Sequence, residues 1–296
     1  MIVKIILSLV VLVNGAFAVV FVRDLIKHGK ETFEEPGNPI AIALSSIVMF
    51  FLSTFGISDF AISASLYPKT KWVSDKKLPG TMNTQCVIPV AVMALAYISS
   101  IDVSLATLII AIAAQVIGAY ISPRFVAKAP VRTIKKFVIA GLFIAAALIL
   151  AGKIGIYPTG GTATGLTGFK LVLLGVLSFV FGALNNIGIG SYALTMTAVY
   201  AMGLNPTIAF PIMMGACTFS VPVGSMQFIK LNNYSRKITL ATSTFGVIGV
   251  LVAVFVVKSL DVSILQWIVL GIIIYSAVSM LLSLRKTPKQ EPVAES

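Results

Sequence analysis

Long apolar runs, separated by short polar or basic loops, extend along almost the whole chain. A first run covers 2–22, and eight further apolar segments follow at 40–67, 80–98, 103–122, 137–156, 171–203, 211–229, 238–257 and 264–282. About 20 apolar residues suffice for a helix to cross a bilayer. The pattern therefore predicts an all-α polytopic membrane protein.

The segments after the first run form an internal repeat with an offset of about 132 residues. Gly56 corresponds to Gly188, and Pro79 corresponds to Pro211. Chance similarity between apolar helices is the alternative explanation. Prolines and glycines in register across four segments argue against it, so we expect two related halves.

The repeat divides the chain into five parts. These are an N-terminal transmembrane helix with a charged loop (1–39), repeat 1 (40–156), a linker (157–170), repeat 2 (171–282) and a tail (283–296). The polar tail is predicted to be disordered and cytoplasmic. The N-terminus shares with a signal peptide a basic start and the small-residue motif Ala16-Phe17-Ala18. Because its apolar run continues to Val22, we expect a retained helix instead.

Glycine and polar residues interrupt the first segment of each repeat. The interruption lies at 53–59 in repeat 1, and at Gly182 and 185–191 in repeat 2. Hydrocarbon cannot satisfy the backbone groups that such breaks release, so the breaks need surrounding protein or a water-filled cavity. Each segment either crosses the membrane once with a kink or returns as a re-entrant hairpin.

The distribution of basic residues decides between these topologies. If both interrupted segments cross, nine spans result and the 22 Lys and Arg residues divide evenly between the two faces. If both are hairpins, seven spans result and one face holds all of them except Lys4, Lys153, Lys170 and Lys258. The positive-inside rule favours the hairpins, with the basic face cytoplasmic. Each repeat then crosses three times, so the two repeats are inverted, as in many secondary transporters.

Composition excludes several classes of protein. The chain is 58% hydrophobic and only 11% charged, against about 25% charged in soluble domains. The net charge of +12 lies in loops, which indicates membrane lipids rather than nucleic acid as the partner. The sequence has no ATP-binding loop, zinc-ligand cluster or triad spacing. We therefore expect no enzyme activity, cofactor or metal.

Polar residues and glycines within the apolar segments are the candidate substrate-binding residues. The half-helices that begin near Phe60 and Ser191 direct backbone N–H groups toward the membrane centre, where they favour an anion. Ordinary hydrogen bonds between helices are the alternative role for each polar residue. The candidates are Gly56, Ser58, Asp59, Asn83, Thr84, Gln85, Asn185, Asn186, Gly188, Gly190, Ser191, Thr218 and Ser220.

Asp59 is the only carboxylate within an apolar segment. A charge at that depth is costly unless it is paired or protonated, which suggests a residue that couples transport to a proton or cation. A cap for the helix that follows is the alternative role, and the two are compatible. Cys86 and Cys217 occupy nearly equivalent positions, and we interpret them as small packing residues.

The glycine-rich run 182–191, followed by Gly203-Leu204-Asn205-Pro206, resembles the motif of the sulfite exporter TauE/SafE family, the four-toluene sulfonate uptake permeases. The resemblance covers about 40–282. It implies transport of small sulfur-containing anions such as sulfite, sulfoacetate or other sulfonates. Repeat 1 departs from the motif, because Asp59 lies where it would repel an anion unless it is protonated or paired.

The sequence thus predicts a secondary transporter in the cytoplasmic membrane, which exports a small sulfur-containing anion by alternating access of two inverted repeats. It does not indicate the exact substrate, the direction of transport, the coupling ion, the oligomeric state or the orientation of the N-terminal helix. Three alternatives stay open: a transporter of another small organic anion such as a carboxylate, a channel, and a sulfur-relay protein that uses Cys86 and Cys217.

Overall fold

The computed structural model describes residues 2–74, 76–121, 161–185, 191–259 and 262–286, together with isolated positions between 136 and 154. Its helices are α1 (Ile2–Lys27), α2 (Gly29–Glu34), α3 (Pro39–Thr54), α4 (Asp59–Thr70), α5 (Leu78–Thr84), α6 (Val87–Ile98), α7 (Leu105–Ile121), α8 (Gly168–Asn185), α9 (Tyr192–Ala201), α10 (Ala209–Lys230), α11 (Arg236–Ala241), α12 (Val247–Ser259) and α13 (Val262–Lys286). In this part of the chain, the only β-pairing is a single bridge between Ala163 and Leu204. The all-α prediction is confirmed.

Four helical stretches in the described part are long and apolar enough to cross a membrane: Val3–Lys27, Leu78–Ile98, Pro206–Lys230 and Arg236–Val256. The last stretch joins α11 to α12 through a π-helical turn at Thr242–Gly246. Most of the predicted segment 137–156 and the tail beyond 286 lie outside the described residues. The helices support the prediction of a polytopic membrane protein.

Helices α3 and α4 form a hairpin whose two open ends lie together. A Cβ atom built on Gly37, just before α3, would lie 2.9 Å from the Trp72 ring, just after α4. Ile42 in the first turn of α3 shares a buried cluster with Tyr67 near the end of α4. The chain reverses at Gly56, whose φ of +99° is one that only glycine adopts without strain. The segment therefore returns to the face from which it enters.

Helices α8 and α9 make the corresponding hairpin in repeat 2. The Lys170 ammonium, in the first turn of α8, donates to the carbonyl of Met202, just after α9, at 3.3 Å. The start of α8 and the end of α9 are thus adjacent. The tip at 186–190 lies outside the described residues. Both interrupted segments agree with the hairpin prediction rather than with single crossings.

The two hairpins open toward opposite faces of the protein. The open end of the first lies with the start of α11, since Tyr67 and Ile238 share one cluster. The open end of the second lies near the α6–α7 loop, where the Ser104 N–H donates to the Thr164 carbonyl at 2.7 Å. We call the first side, with loops 28–38, 71–77 and 231–235, the basic face, and the other the opposite face.

Helices of the two repeats pack against each other at two equivalent glycine contacts. A Cβ atom on Gly118 in α7 would overlap the carbonyl oxygen of Phe179 in α8. A Cβ atom on Gly249 in α12 would likewise overlap the carbonyl oxygen of Ile47 in α3. A helix of each repeat therefore packs closely on the first hairpin arm of the other. The repeat in the sequence therefore corresponds to a repeated helix contact in the structure.

Helix α1, which lies outside the repeat, is attached to repeat 2 at two levels. Within the membrane, the buried Asn14 amide donates to the Thr218 hydroxyl at 2.8 Å. At the basic face, Asp24 accepts from the Arg236 guanidinium at 2.6 Å and from the Tyr234 hydroxyl at 2.5 Å. These bonds bind α1 to α10 and α11.

Candidate functional site

A cavity of about 1000 Å³ lies between the two repeats. Its walls include Pro79, Tyr120 and Phe228, which lie toward the basic-face ends of α5, α7 and α10. Its floor includes Asp59 and Ser191, where the helical arms after the two breaks begin. The cavity therefore reaches from the basic face to the middle of the membrane.

The floor combines equivalent positions from the two repeats. With the offset that pairs Gly56 with Gly188, Asp59 corresponds to Ser191 and Phe60 to Tyr192, and all four of these floor residues line the cavity. Helix α4 begins at Asp59 and runs to the basic face, whereas α9 begins at Tyr192 and runs to the opposite face. Two helix N-termini thus meet at mid-membrane, which favours negative charge there.

Asp59 is buried, with 1% of its surface exposed. Its Oδ1 atom accepts from the Ser53 hydroxyl at 3.5 Å, which is a weak hydrogen bond. Its Oδ2 atom has no hydrogen-bond partner among the described residues. The Ser63 hydroxyl donates to the Asp59 backbone carbonyl at 2.5 Å, which fixes the first turn of α4. The carboxyl group therefore has one weak side-chain hydrogen bond from Ser53 and one oxygen atom without a partner in the described part of the chain.

Two predicted site residues form bonds between helices instead of lining the cavity. The Gln85 amide donates to Ser63 at 2.9 Å and its carbonyl oxygen accepts from the Tyr67 hydroxyl. The Thr84 hydroxyl bonds that of Thr239 at 2.7 Å. Both side chains are fully buried. They hold α4, the α5–α6 break and α11 together, so their effect on a bound molecule is indirect.

Three further candidates lie in the cavity wall with their donors partly engaged. Ser191 accepts from the Gln115 amide at 2.9 Å, Ser220 donates to the Ala216 carbonyl at 3.0 Å, and one Asn83 amide hydrogen bonds the Pro79 carbonyl. Ser58 also lines the cavity. Asn83 carries a second amide hydrogen, which can donate to a ligand.

Thr218 and Gly56 are placed beside the cavity rather than in its lining. The Thr218 hydroxyl, 1% exposed, is bonded to Asn14. A Cβ atom on Gly56 would lie 2.6 Å from the Met196 Cε atom, so the first hairpin tip contacts α9 directly. The side chain of Asn185 and the whole of Asn186, Gly188 and Gly190 lie outside the described residues.

A layer of buried side chains closes the cavity toward the opposite face. The Tyr97 hydroxyl donates to the Thr54 carbonyl, at the end of α3, at 3.1 Å. The Tyr97 ring stacks on Phe210, at the start of α10, with centroids 5.0 Å apart. Both rings are fully buried. This layer joins the first hairpin tip to repeat 2.

The two cysteines, which the sequence analysis interprets as packing residues, line the cavity as well. Cys86 and Cys217 are free, buried, and in the cavity wall. Helices that are apolar on every side give no periodic signal of which face points inward. No group of three or more His, Cys, Asp or Glu residues suited to a metal occurs in the described part of the chain.

The family model described as Sulfite exporter TauE/SafE matches residues 171–295, less than half of the chain. The match covers repeat 2 and confirms the resemblance inferred from its glycine-rich run. The family is one of membrane transporters, and the apolar helices place the chain among integral membrane proteins. Neither the comparison with curated proteins nor that with solved structures finds a match.

Proposed function

We propose that this protein is a secondary transporter that exports a small sulfur-containing anion, such as sulfite, sulfoacetate or another sulfonate, across the cytoplasmic membrane. The cavity between the two inverted repeats is the observation that carries the proposal. It ends where a half-helix from each repeat begins, in the middle of the membrane. Substrate sites at this position are typical of transporters built from inverted repeats.

The lining of the cavity suits a small anion held by neutral donors. No Lys, Arg or His occurs among the described lining residues. The second amide hydrogen of Asn83 and the N-terminus of α9 supply donors to this cavity, whose lining also includes the side chains of Ser58 and Ser220. Such groups bind an anion without a fixed counter-charge, so the anion can also leave. The wide volume would admit sulfonates larger than sulfite.

The two ends of the cavity differ, and this difference supports an alternating-access mechanism. The cavity extends toward the basic face, while the Tyr97–Phe210 layer and the contact of Gly56 with Met196 close the other end. We propose that the repeats rock about the hairpin tips, so that this layer parts as the basic end closes. Asp59 couples this motion to a proton or a cation.

Flux measurements in proteoliposomes test the proposal against its rivals. Sulfite, sulfoacetate, taurine, thiosulfate and simple carboxylates are offered as labelled substrates. We expect saturable flux of sulfite or a sulfonate, accelerated by unlabelled substrate on the far side. Non-saturating flux without acceleration indicates a channel, and a preference for carboxylates assigns the other anion class. Flux equal to empty vesicles for every compound contradicts a transporter of these anions.

A further inference from the structure

The cavity floor holds one acidic group and no basic group to balance it. Asp59 is the only acid among the described residues that line the cavity. Its side chain is buried, and its Oδ2 atom has no partner in the described part of the chain. An anion that reaches the start of α9 at Ser191 comes to the same floor as this carboxyl group. A charged Asp59 and a bound anion therefore oppose each other.

Among the described residues, four other titratable groups lie near Asp59, each on a different element of the structure around it. They are Tyr67 in α4, Cys86 at the α5–α6 break, Tyr192 in α9 and Cys217 in α10. Phenol and thiol groups are uncharged near neutral pH. None of them supplies a positive charge, so only protonation or a bound cation removes the conflict between Asp59 and the substrate.

The backbone around Asp59 is unsuited to a bound cation. In broken-helix transporters, free carbonyl groups at the ends of half-helices coordinate sodium. Here the final carbonyls of α3 are already engaged: Leu52 accepts from the Phe55 and Ile57 amides, Ser53 from the Gly56 amide, and Thr54 from the Tyr97 hydroxyl. The N-terminus of α4, at Asp59 itself, adds partial positive charge. These features favour a proton over a metal ion at Asp59.

We propose that Asp59 is the proton-binding group of the transporter, and that its charge closes the cavity to anions until a proton binds. The inference rests on the proposed function and adds an order of events: one proton enters first, and one anion binds next. The two then cross together, while Ser191 at the equivalent position of repeat 2 remains an uncharged anion contact. Net flux follows the sum of the anion and proton gradients, so export takes place when the outward anion gradient exceeds the inward proton gradient.

The first experiment observes the proton without any substrate. Infrared difference spectra of the purified protein are recorded as the pH is lowered, with Asp59→Asn and Asp102→Asn as variants. Asp102 is a matched control, since it is an exposed acid in the α6–α7 loop. We expect a band of a buried carboxylic acid in the wild type and Asp102→Asn, and its absence in Asp59→Asn. A wild type without this band overturns the proposal.

The second experiment measures binding of methanesulfonate and sulfoacetate by calorimetry between about pH 5.5 and about pH 8.5, a range in which both probes keep a constant charge. For the wild type and Asp102→Asn, we expect affinity to fall about tenfold per pH unit above the titration of Asp59. For Asp59→Asn, we expect tight binding that does not change with pH. Replacing potassium by sodium should have no effect.

The outcomes separate this inference from the proposed function. Equal pH dependence in the wild type and Asp59→Asn, or affinity that follows sodium, overturns Asp59 as the proton gate while leaving an anion transporter in place. If neither protein binds either probe at any pH, the proposed substrate class is wrong, and the infrared band alone decides whether Asp59 carries a proton. Intact folding of Asp59→Asn is checked by gel filtration.

Discussion

The two hairpins carry different chemistry at the same position of the repeat. In repeat 1 the arm after the break starts with Asp59, a buried acid with one oxygen atom that no described residue bonds. In repeat 2 the equivalent residue is Ser191, a hydroxyl group held by the Gln115 amide. Duplication alone would give two equal tips. In the account proposed above, one half binds the coupling proton and the other contacts the anion.

The two halves also differ in the continuity of one helix and in its bonds to neighbouring helices. The helix after the second hairpin, α10, is continuous for 22 residues and is bonded to α1 through Thr218 and Asn14. Its counterpart in repeat 1 is divided at Gln85 and Cys86 into α5 and α6. A continuous helix tied to a neighbour deforms less than a divided one. We therefore expect repeat 1 to move against a body formed by repeat 2 and α1.

The largest expected effect is on stability, through the ion pair that joins α1 to repeat 2. Arg236→Ala removes the 2.6 Å partner of Asp24, whose side chain is 12% exposed and still accepts from the Tyr234 hydroxyl. Removing one member of a buried pair costs about 3–5 kcal/mol. Thermal unfolding in detergent should show this loss, whereas the exposed Lys230→Ala should unfold like the wild type. A wild-type melting temperature for Arg236→Ala would show that α1 does not brace this half.

The next prediction removes the chemical difference between the two tips. Ser191→Asp places a second acid on the cavity floor, opposite Asp59, while still offering Gln115 an acceptor. Repulsion of this kind is worth several kcal/mol, so anion flux in proteoliposomes should fall about 100-fold or more. Ser191→Asn, uncharged and similar in size, should retain flux within about tenfold. Normal flux through Ser191→Asp would place the anion path elsewhere.

A third prediction concerns the contacts that the halves share. Gly118→Ala and Gly249→Ala each force a methyl group onto a backbone carbonyl of the other repeat. Overpacking of this kind costs about 1–3 kcal/mol, and we expect both variants to lose a similar amount. Gly271→Ala is the control, since nothing lies within 4 Å of its added Cβ atom. Loss in one variant only would mean that the repeats pack unequally.

The sequence was sufficient for the architecture because its signals there are strong. Glycines mark the breaks in the interrupted segments, and basic residues mark one face of the membrane. The contact of Gly37 with Trp72 and the bond of Lys170 to Met202 show that both segments are hairpins, as these signals predict. The site was harder to predict. Helices surrounded by lipid on one side and apolar protein on the other show little contrast between their faces. Sequence therefore could not tell that Gln85 faces another helix rather than the cavity.

The smallest expected effect comes from the cavity cysteines. Replacing both Cys86 and Cys217 with serine changes two thiols to hydroxyls of nearly the same shape, and neither thiol is needed to bind or release an anion in this account. Flux should stay within about twofold of the wild type, an effect below about 0.5 kcal/mol. Complete loss of flux in this double variant, with normal folding, would favour the sulfur-relay alternative.

The cysteine-free protein then permits the most direct test of the central claim, that the anion occupies a cavity between the repeats. Single cysteines are introduced at Ser220, in the cavity wall, and at exposed Asp102, on the opposite face. Labelling with an impermeant maleimide is measured in vesicles of both orientations. We predict that Ser220→Cys reacts from the basic face and is protected by sulfoacetate, while Asp102→Cys reacts from the other side without protection. Labelling of both positions from the same side, with no effect of the anion, would contradict the account.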